Sequence, residues 1–373
     1  MNVAVLGCGA IGGMVAANLT RAGIRVVPVT GNAAISEAIA THGYRVRELD
    51  GTTWSQAPSA SPRVAIGDLG DAAGVRFDVV VCATKATQLE AALASALPHL
   101  APGATVLCLQ NGLPEDHAAA VVGKERVAGC IVGFGASMIE PGLYLRTSRG
   151  GFTLGLPYRD LAGAPDLPSL ARLLEPAGPA LVVEDLAAVR WSKLAINCCT
   201  SSIGATGGAP LGVLLRRRFA RRIALEVFAE VNAVARAAGI RPAPVGGTFD
   251  IAKVSITDDE RAMRFGSPSL AMKHSILLAV GFKYRRLRSS MLYAIERGRQ
   301  PEIDFLNGEV VRRGQLLGVP TPVNAGLVEA IHAITRGAAH PSVATLRRLH
   351  ERYQSAAMPL GVGPARGGER LNS

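Results

Sequence analysis

Residues 2–30 read NVAVLGCGAIGGMVAANLTRAGIRVVPVT. Asn2 to Leu6 is a short apolar run of the kind a buried strand needs. Ile11 to Arg21 carries a helical pattern, and Arg25 to Thr30 is a second apolar run. Between the first strand and the helix stands Gly7-Cys8-Gly9-Ala10-Ile11-Gly12. Each glycine has its own task in such a turn. Gly7 permits the sharp bend off the strand, Gly9 lets backbone approach a pyrophosphate, and Gly12 lets the helix lie close to the strand. The helix start offers unpaired N–H groups and a positive dipole end to an anion. A glycine pattern alone is weak. Its place after a strand, at a helix start and before a second strand gives it the meaning of a dinucleotide site, with a ligand-free tight turn as the plainer alternative.

The pattern continues outward. Phe77 to Ala83 and Thr105 to Gln110 are dense in Val, Leu and Cys, as parallel strands covered on both faces should be. Helical stretches follow at Thr87 to Leu97, ended by Pro98, and at Glu115 to Val122. From Val127 to Leu156 helix signals fade, and Tyr144–Arg146 and Gly151–Gly155 read as an antiparallel pair turning at Ser148-Arg149-Gly150. A helix at Ser169 to Leu174 and a strand at Ala180 to Val183 close this half. After Asp185, which can cap a helix, the strand signal stops. Helices are expected through Lys193 and Asn197, at Phe219 to Ala238, at Ser289 to Arg297, and from Pro301 to about Leu317. Arg241 to Ser267, rich in Gly, Pro and Asp, reads as a connection or an insertion. The expected fold is α/β: an N-terminal Rossmann-like parallel sheet domain at 1–185, followed by an all-helical C-terminal domain at 186–358. Residues 359–373 are expected to be a disordered tail.

Composition sets limits. The 373 residues are 49% apolar and 18% charged, enough for two cores and unlike a disordered chain. Met1 leads directly into an apolar strand with no basic segment before it. No apolar run approaches the roughly 20 residues of a membrane helix. A soluble, cytoplasmic protein is expected. The six cysteines show no metal-ligand spacing, so no metal is expected, and most fall in apolar segments where thiols pack as small hydrophobes. The net charge of +11 gathers at Arg216-Arg217-Arg218, Arg221-Arg222 and Lys283 to Arg288. Such a surface attracts anions of any kind. Without aromatic interleaving or a nucleic-acid-binding motif it reads as a solvated helix face or an oligomer contact, and neither a nucleic acid nor a membrane is expected as a partner.

Cofactor choice in such folds is read just after the second strand, where a carboxylate suits NAD and an arginine suits NADP. This chain has Thr30-Gly31-Asn32 and neither. Thr30 and Asn32 can hydrogen-bond a phosphate or a hydroxyl. The reading leans to NADP with NAD not excluded. Further on, Trp191-Ser192-Lys193-Leu194-Ala195-Ile196-Asn197 places Lys193 and Asn197 on one helix face, which Ser201 continues. An ammonium beside a carboxamide suits a carbonyl substrate, because lysine can protonate the alkoxide formed as hydride arrives. Periodicity alone favours a surface lysine on an amphipathic helix. Ser289-Ser290-Met291-Leu292 and Pro301-Glu302-Ile303-Asp304-Phe305-Leu306-Asn307-Gly308 likewise read as a capping serine and a glutamate in a first helical turn.

Taken together, GCGAIG at 7–12, ATKATQ at 83–88, QNG at 110–112, WSKLAINC at 191–198, SSML at 289–292 and PEIDFLNG at 301–308 resemble the ketopantoate reductase (2-dehydropantoate 2-reductase) family. The likeness runs from Met1 to about Leu327. It implies NADPH-dependent reduction of 2-dehydropantoate to (R)-pantoate in pantothenate biosynthesis. It also implies that Lys193 is the general acid and that Glu302 meets the substrate and supports the lysine. Asn111, Asn197, Ser201 and Ser290 would face the substrate. Lys85, with Asn111, would lie by the cofactor. Gly31 stands where the family often has arginine, and Ser201 where it has a second asparagine. The segment Arg241–Arg288 is longer than in compact members. The expected partner is a small anionic 2-oxo acid, with a homodimer plausible from exposed apolar helices. Two alternatives are a D-2-hydroxyacid dehydrogenase of the same superfamily acting on another 2-oxo acid, and a non-catalytic dinucleotide-binding sensor.

Overall fold

The structure is a computed structural model that describes residues 1–60, 76–244, 250–263 and 266–356, with side chains to 353. The expected tail at 359–373 lies outside the described residues. The chain forms two compact units, Met1–Asn197 with Ala238–Ile251, and Cys198–Ala237 with Ala252–Ser373. The sequence suggested a join near residue 185; the division by contacts falls inside a long helix that starts at Leu186.

The first unit begins with β1 (Asn2–Leu6), α1 (Ala10–Arg21), β2 (Arg25–Val29), α2 (Ala33–His42), β3 (Tyr44–Arg47) and β4 (Thr53–Gln56). It continues with β5 (Phe77–Cys82), α3 (Leu89–Ala96), β6 (Leu100–Cys108), α4 (Glu115–Val122) and β7 (Val127–Val132). Then come β8 (Ala136–Glu140), β9 (Leu143–Arg146), β10 (Phe152–Gly155), α5 (Leu167–Leu174), β11 (Ala180–Val182) and α6 (Leu186–Gly207). Seven strands make one sheet in the order β11-β10-β7-β6-β5-β1-β2. All neighbours are parallel except β10 against β7. The strand order reverses beside β1, with β2 on one side and β5 on the other. In the register, Leu6 stands level with Val29 and Cys82, so the ends of the three strands meet at one edge. Open α/β sheets bind their ligands at such a reversal. The strands read as continuous apolar runs because the sheet is covered on both faces, by one core cluster around Val3, Val5, Met14 and Leu107 and another around Ala4, Leu6, Val80 and Leu93.

A second sheet, ordered β4-β3-β9-β8, overturns one expectation. Residues 144–146 and 152–155 are not hairpin partners. β9 pairs with β8 and β3, whereas β10 extends the large sheet beside β7. Burial decides this. Tyr144 is fully buried, and its ring lies where a side chain on Gly13 of α1 would stand. Its hydroxyl donates to the Cys8 carbonyl oxygen at 3.1 Å. Helix α1 is therefore held between the large sheet and β9, and the glycine turn is tied down from behind.

The second unit is helical throughout its described residues. It takes in the end of α6, α7 (Leu211–Leu215), α8 (Arg218–Ala237), α9 (Ile251–Val254), α10 (Asp258–Ala262), α11 (Pro268–Lys283), α12 (Ser290–Glu296), α13 (Asn307–Leu317), α14 (Pro322–Thr335) and α15 (Val343–Ala356). Helix limits follow local chemistry. Thr257 and Glu260 form a capping box at α10, Ser267 caps α11 ahead of Pro268, and Gly318 takes the left-handed conformation that ends α13. No helix is long and apolar enough to cross a membrane among the described residues. Glu302 differs from its expected setting: it precedes a short 3-10 turn (Ile303–Phe305), and the α-helix starts only at Asn307. The helix waits for Asn307 because that side chain is wholly buried. Its amide donates to the Asn324 side-chain oxygen at 2.9 Å and the Cys198 carbonyl at 3.3 Å. Asn324 in turn donates to Glu230, whose carboxylate also takes the Val323 and Asn324 backbone N–H groups of α14's first turn at 2.7 and 2.8 Å.

Candidate active site

The glycine turn meets its geometric demands. Gly7 has φ +92°, and a Cβ there would stand 2.7 Å from the Thr84 nitrogen and 2.8 Å from the Ala83 carbonyl carbon. Only glycine fits. A Cβ on Gly12 would run into the Gly7 carbonyl oxygen and stand 2.8 Å from the Ala83 side chain. Gly9, by contrast, has nothing within 4 Å of its missing Cβ. Gly7 and Gly12 thus serve packing, and Gly9 leaves space open to a ligand at the N-terminus of α1.

That space belongs to a cavity of about 620 Å³ at the strand reversal. Gly7, Cys8, Gly9, Thr30, Asn32 and Lys85 all line it. Ala10, Ile11 and Gly12, in the first turn of α1, are outside its lining, as is Asn111. Cys8 contributes backbone only; its side chain is buried, and burial pushes the thiol up to about 12. The corner after β2 is committed locally. The Thr30 hydroxyl accepts the Asn32 N–H at 3.4 Å, and Asn32 caps α2 through its side-chain oxygen on Ile35 at 3.3 Å. Gly31 has open space where a side chain would project. The cavity's lining brings together groups that could hold a dinucleotide: glycines at the N-terminus of α1, the Lys85 ammonium, and the hydroxyl and amide of Thr30 and Asn32.

Helix α6 starts as the sequence suggested, with the Asp185 carboxylate accepting the Ala188 N–H at 3.0 Å. Lys193 and Asn197 follow on one face of it. The Asn197 amide donates to the Asn111 side-chain oxygen at 3.1 Å, which joins the helix to the loop after β6. Lys193 is half-buried. Desolvation, with the nearby Arg190 guanidinium adding repulsion, lowers its ammonium below the ordinary lysine value. That is the direction a proton donor needs. In the second unit, Ser289 caps α12 through Leu292 at 3.1 Å and donates to the Ser201 carbonyl at 2.7 Å, so Ser201 and the exposed Ser290 lie on adjoining segments. Glu302 is half-buried.

Sequence reasoning missed a buried ion pair behind these groups. Arg190, only 3% exposed, pairs with Glu115 and donates to the Gln110 carbonyl at 3.2 Å. Gly129 of β7 makes room for it, because a Cβ there would meet the Glu115 carboxylate. The one available signal was the position of Arg190, one helical turn before Lys193.

A mostly parallel sheet with this cradle, joined to a helical unit through a lysine-bearing helix, defines a pyridine-nucleotide-dependent oxidoreductase. The chain belongs to the ketopantoate reductase PanE/ApbA family: the family's model matches residues 3–157, and its C-terminal model matches residues 185–335. A 2-dehydropantoate 2-reductase of Mesorhizobium japonicum is 29% identical over 358 residues, covering 90% of this chain and 97% of that protein. One from Pyrobaculum aerophilum is 34% identical over 166 residues, 44% of this chain and 50% of that protein. Among solved structures, a PanE/ApbA family ketopantoate reductase from Ralstonia eutropha has a TM-score of 0.73 at 26% identity, covering 90% of this chain and 99% of that one. D-mandelate dehydrogenase, solved with NADH and anilino(oxo)acetate, shares the fold at a TM-score of 0.74 and 22% identity, with coverage of 90% and 99%.

Proposed function

We propose that this protein reduces 2-dehydropantoate to (R)-pantoate with NADPH, in the cytoplasm, as a step of pantothenate biosynthesis. Residues 1–185 bind the cofactor and residues 186–358 supply most of the substrate contacts. The bound cofactor supplies a hydride to the 2-oxo carbon. The Lys193 ammonium donates its proton to the oxygen that becomes the alcohol. Asn197 and Asn111 hold polar groups of the substrate in line. Ser201 and Ser290, assigned through the family likeness, bind the substrate, and Glu302, assigned in the same way, meets the substrate and supports Lys193. Gly7–Gly12, Thr30, Asn32 and Lys85 hold the nucleotide. A homodimer through exposed helices of the second unit fits the same reading.

The observation that carries the proposal is Lys193, held half-buried with a lowered ammonium pKa one turn from the Asn197–Asn111 hydrogen bond. The test follows oxidation of NADPH and of NADH with 2-dehydropantoate and with a panel of branched and aromatic 2-oxo acids. Highest kcat/KM with 2-dehydropantoate supports the proposal; equal or better turnover of another 2-oxo acid overturns it. A second reading, a D-2-hydroxyacid dehydrogenase acting on another 2-oxo acid, takes its support from the lack of an arginine at the Thr30-Gly31-Asn32 corner, and the same panel separates the two.

A further inference from the structure

A polar chain runs through the interior of the first unit. Thr84, in the lining of the cofactor cavity, accepts the Gln110 side-chain amide at 3.2 Å. The Gln110 carbonyl accepts Arg190 at 3.2 Å, and Arg190 pairs with Glu115 in the first turn of α4. Three residues further along α6 comes Lys193, and four more bring Asn197, which donates to Asn111. The loop after β6 is therefore gripped twice by one helix, at Gln110 by Arg190 and at Asn111 by Asn197. Lys193 projects from the turn between the two grips.

Burial makes the first grip expensive to form and hard to explain as structure alone. The side chains of Arg190 and Glu115 are 4% and 7% exposed, and the Arg190 Nε has no hydrogen-bond partner among the described residues. Taking two charges out of water is costly, and an apolar pair of similar volume is often as stable. A guanidinium here does two things that an apolar residue does not. It reaches Glu115 and the Gln110 carbonyl at once, and it places a fixed positive charge one helical turn from Lys193. The titratable groups facing it are Glu115 from α4, Cys108 from β6 and Cys130 from β7, and burial holds both thiols neutral.

We propose that Arg190 is a positioning residue for the reduction: it clamps the Gln110–Asn111 corner against α6, so that Asn111, Asn197 and Lys193 keep one geometry relative to one another. The inference rests on the general-acid reading of Lys193. A shift of about 1 Å in such a group costs on the order of a hundredfold in rate. The lysine's lowered pKa agrees with the same geometry, since the guanidinium repels its ammonium.

Two variants separate position from charge. In Arg190→Lys the charge stays, but a single ammonium lacks the fork that meets both partners. In the double variant Arg190→Met with Glu115→Gln both charges go together, which avoids an unpaired buried carboxylate. Cofactor affinity, measured by fluorescence titration with NADPH, stays within about twofold of wild type in both and reports an intact first unit. The expected result for Arg190→Lys is a kcat lowered at least about tenfold, with the alkaline limb of its pH profile in place. For the double variant it is a similar loss of kcat, with the alkaline limb moved to higher pH because the lysine is no longer repelled. Wild-type kcat in Arg190→Lys, or an unmoved limb in the double variant, overturns the proposal. If Arg190→Lys does not fold, the double variant decides alone. Lys193→Ala separates the two levels: loss of turnover there with none in the Arg190 variants refutes the positioning role alone, whereas turnover retained in Lys193→Ala removes the general-acid reading and this inference with it.

Discussion

Gly9→Ala isolates ligand binding from folding at the glycine turn. The position has φ −69°, which any residue adopts, and a Cβ there meets nothing within 4 Å. The folded protein therefore accommodates the methyl group without strain. Replacing glycine by alanine at a compatible position stabilises by about 0.4–1 kcal/mol through the unfolded chain. Alanine is a poorer N-cap than glycine, which offsets part of that gain. The net change in stability is within about 1 kcal/mol of zero. The same methyl group occupies the space into which the pyrophosphate must come, and a weakening of at least about tenfold in cofactor Kd, or about 1.4 kcal/mol, is expected. Gly12→Ala provides the contrast. Its Cβ would press on the Gly7 carbonyl and on the Ala83 side chain at 2.8 Å, so α1 must retreat from β1. Overpacking of this kind costs about 1–3 kcal/mol, and the Tm falls along with affinity. Thermal melts and NADPH titrations on the two variants read both quantities. Wild-type cofactor affinity in Gly9→Ala would refute the pyrophosphate seat, and a Tm loss equal to that of Gly12→Ala would refute the claim that its Cβ site is open.

Other outcomes follow from the same geometry. Lys193→Ala lowers kcat by about 10²–10⁴-fold with NADPH affinity unchanged, as removal of a general acid should; near wild-type turnover would remove the assignment. On the proposed general-acid role the protonated lysine is the active form, so kcat is expected to fall as pH rises through a pKa that lies below the ordinary lysine value of about 10.4. A kcat flat to pH 10 would contradict this. Gly31→Arg fills an open corner of the cavity with a guanidinium suited to the phosphate of NADP, and raises the ratio of kcat/KM for NADPH over NADH about tenfold or more. An unchanged ratio would place the ribose elsewhere. All six cysteines are free and buried, and burial raises their thiols. A thiol reagent should therefore modify none of them in the native protein and all six in denaturant; a fast-reacting thiol coupled to loss of activity would overturn that.

Local physics made much of this protein legible in its sequence. The β1 run, the glycine turn and α1 are contiguous, and Gly7 and Gly12 have steric reasons readable from their places in the motif. The apolar runs of β5 and β6 stand out because both faces of the large sheet are covered. Asp185, Ser289 and Gly318 mark helix ends through hydrogen bonds or a backbone conformation that involve only near neighbours. The i,i+4 relation of Lys193 and Asn197 needs nothing but a helix.

What escaped the sequence depends on residues far apart along the chain. The second sheet joins Arg45 to Leu143 and Val46 to Tyr144, and nothing near Tyr144 says that its ring will lie under Gly13. With Tyr144 drawn to α1, the hairpin that residues 144–155 suggest does not form. Asn307 looks like one more polar residue of a helix start, yet burial against Asn324 and Cys198 decides where the helix begins. Arg190 reads as an ordinary charged position on an amphipathic helix. Only the tertiary structure sets it against Glu115, under a glycine that leaves room for the pair. The glycine turn, the alternation of strands and helices and the helix bearing Lys193 were legible without tertiary information, because they follow from backbone geometry and near neighbours. Burial, which depends on the whole chain, decided which polar side chains face one another and which charge stands beside the lysine.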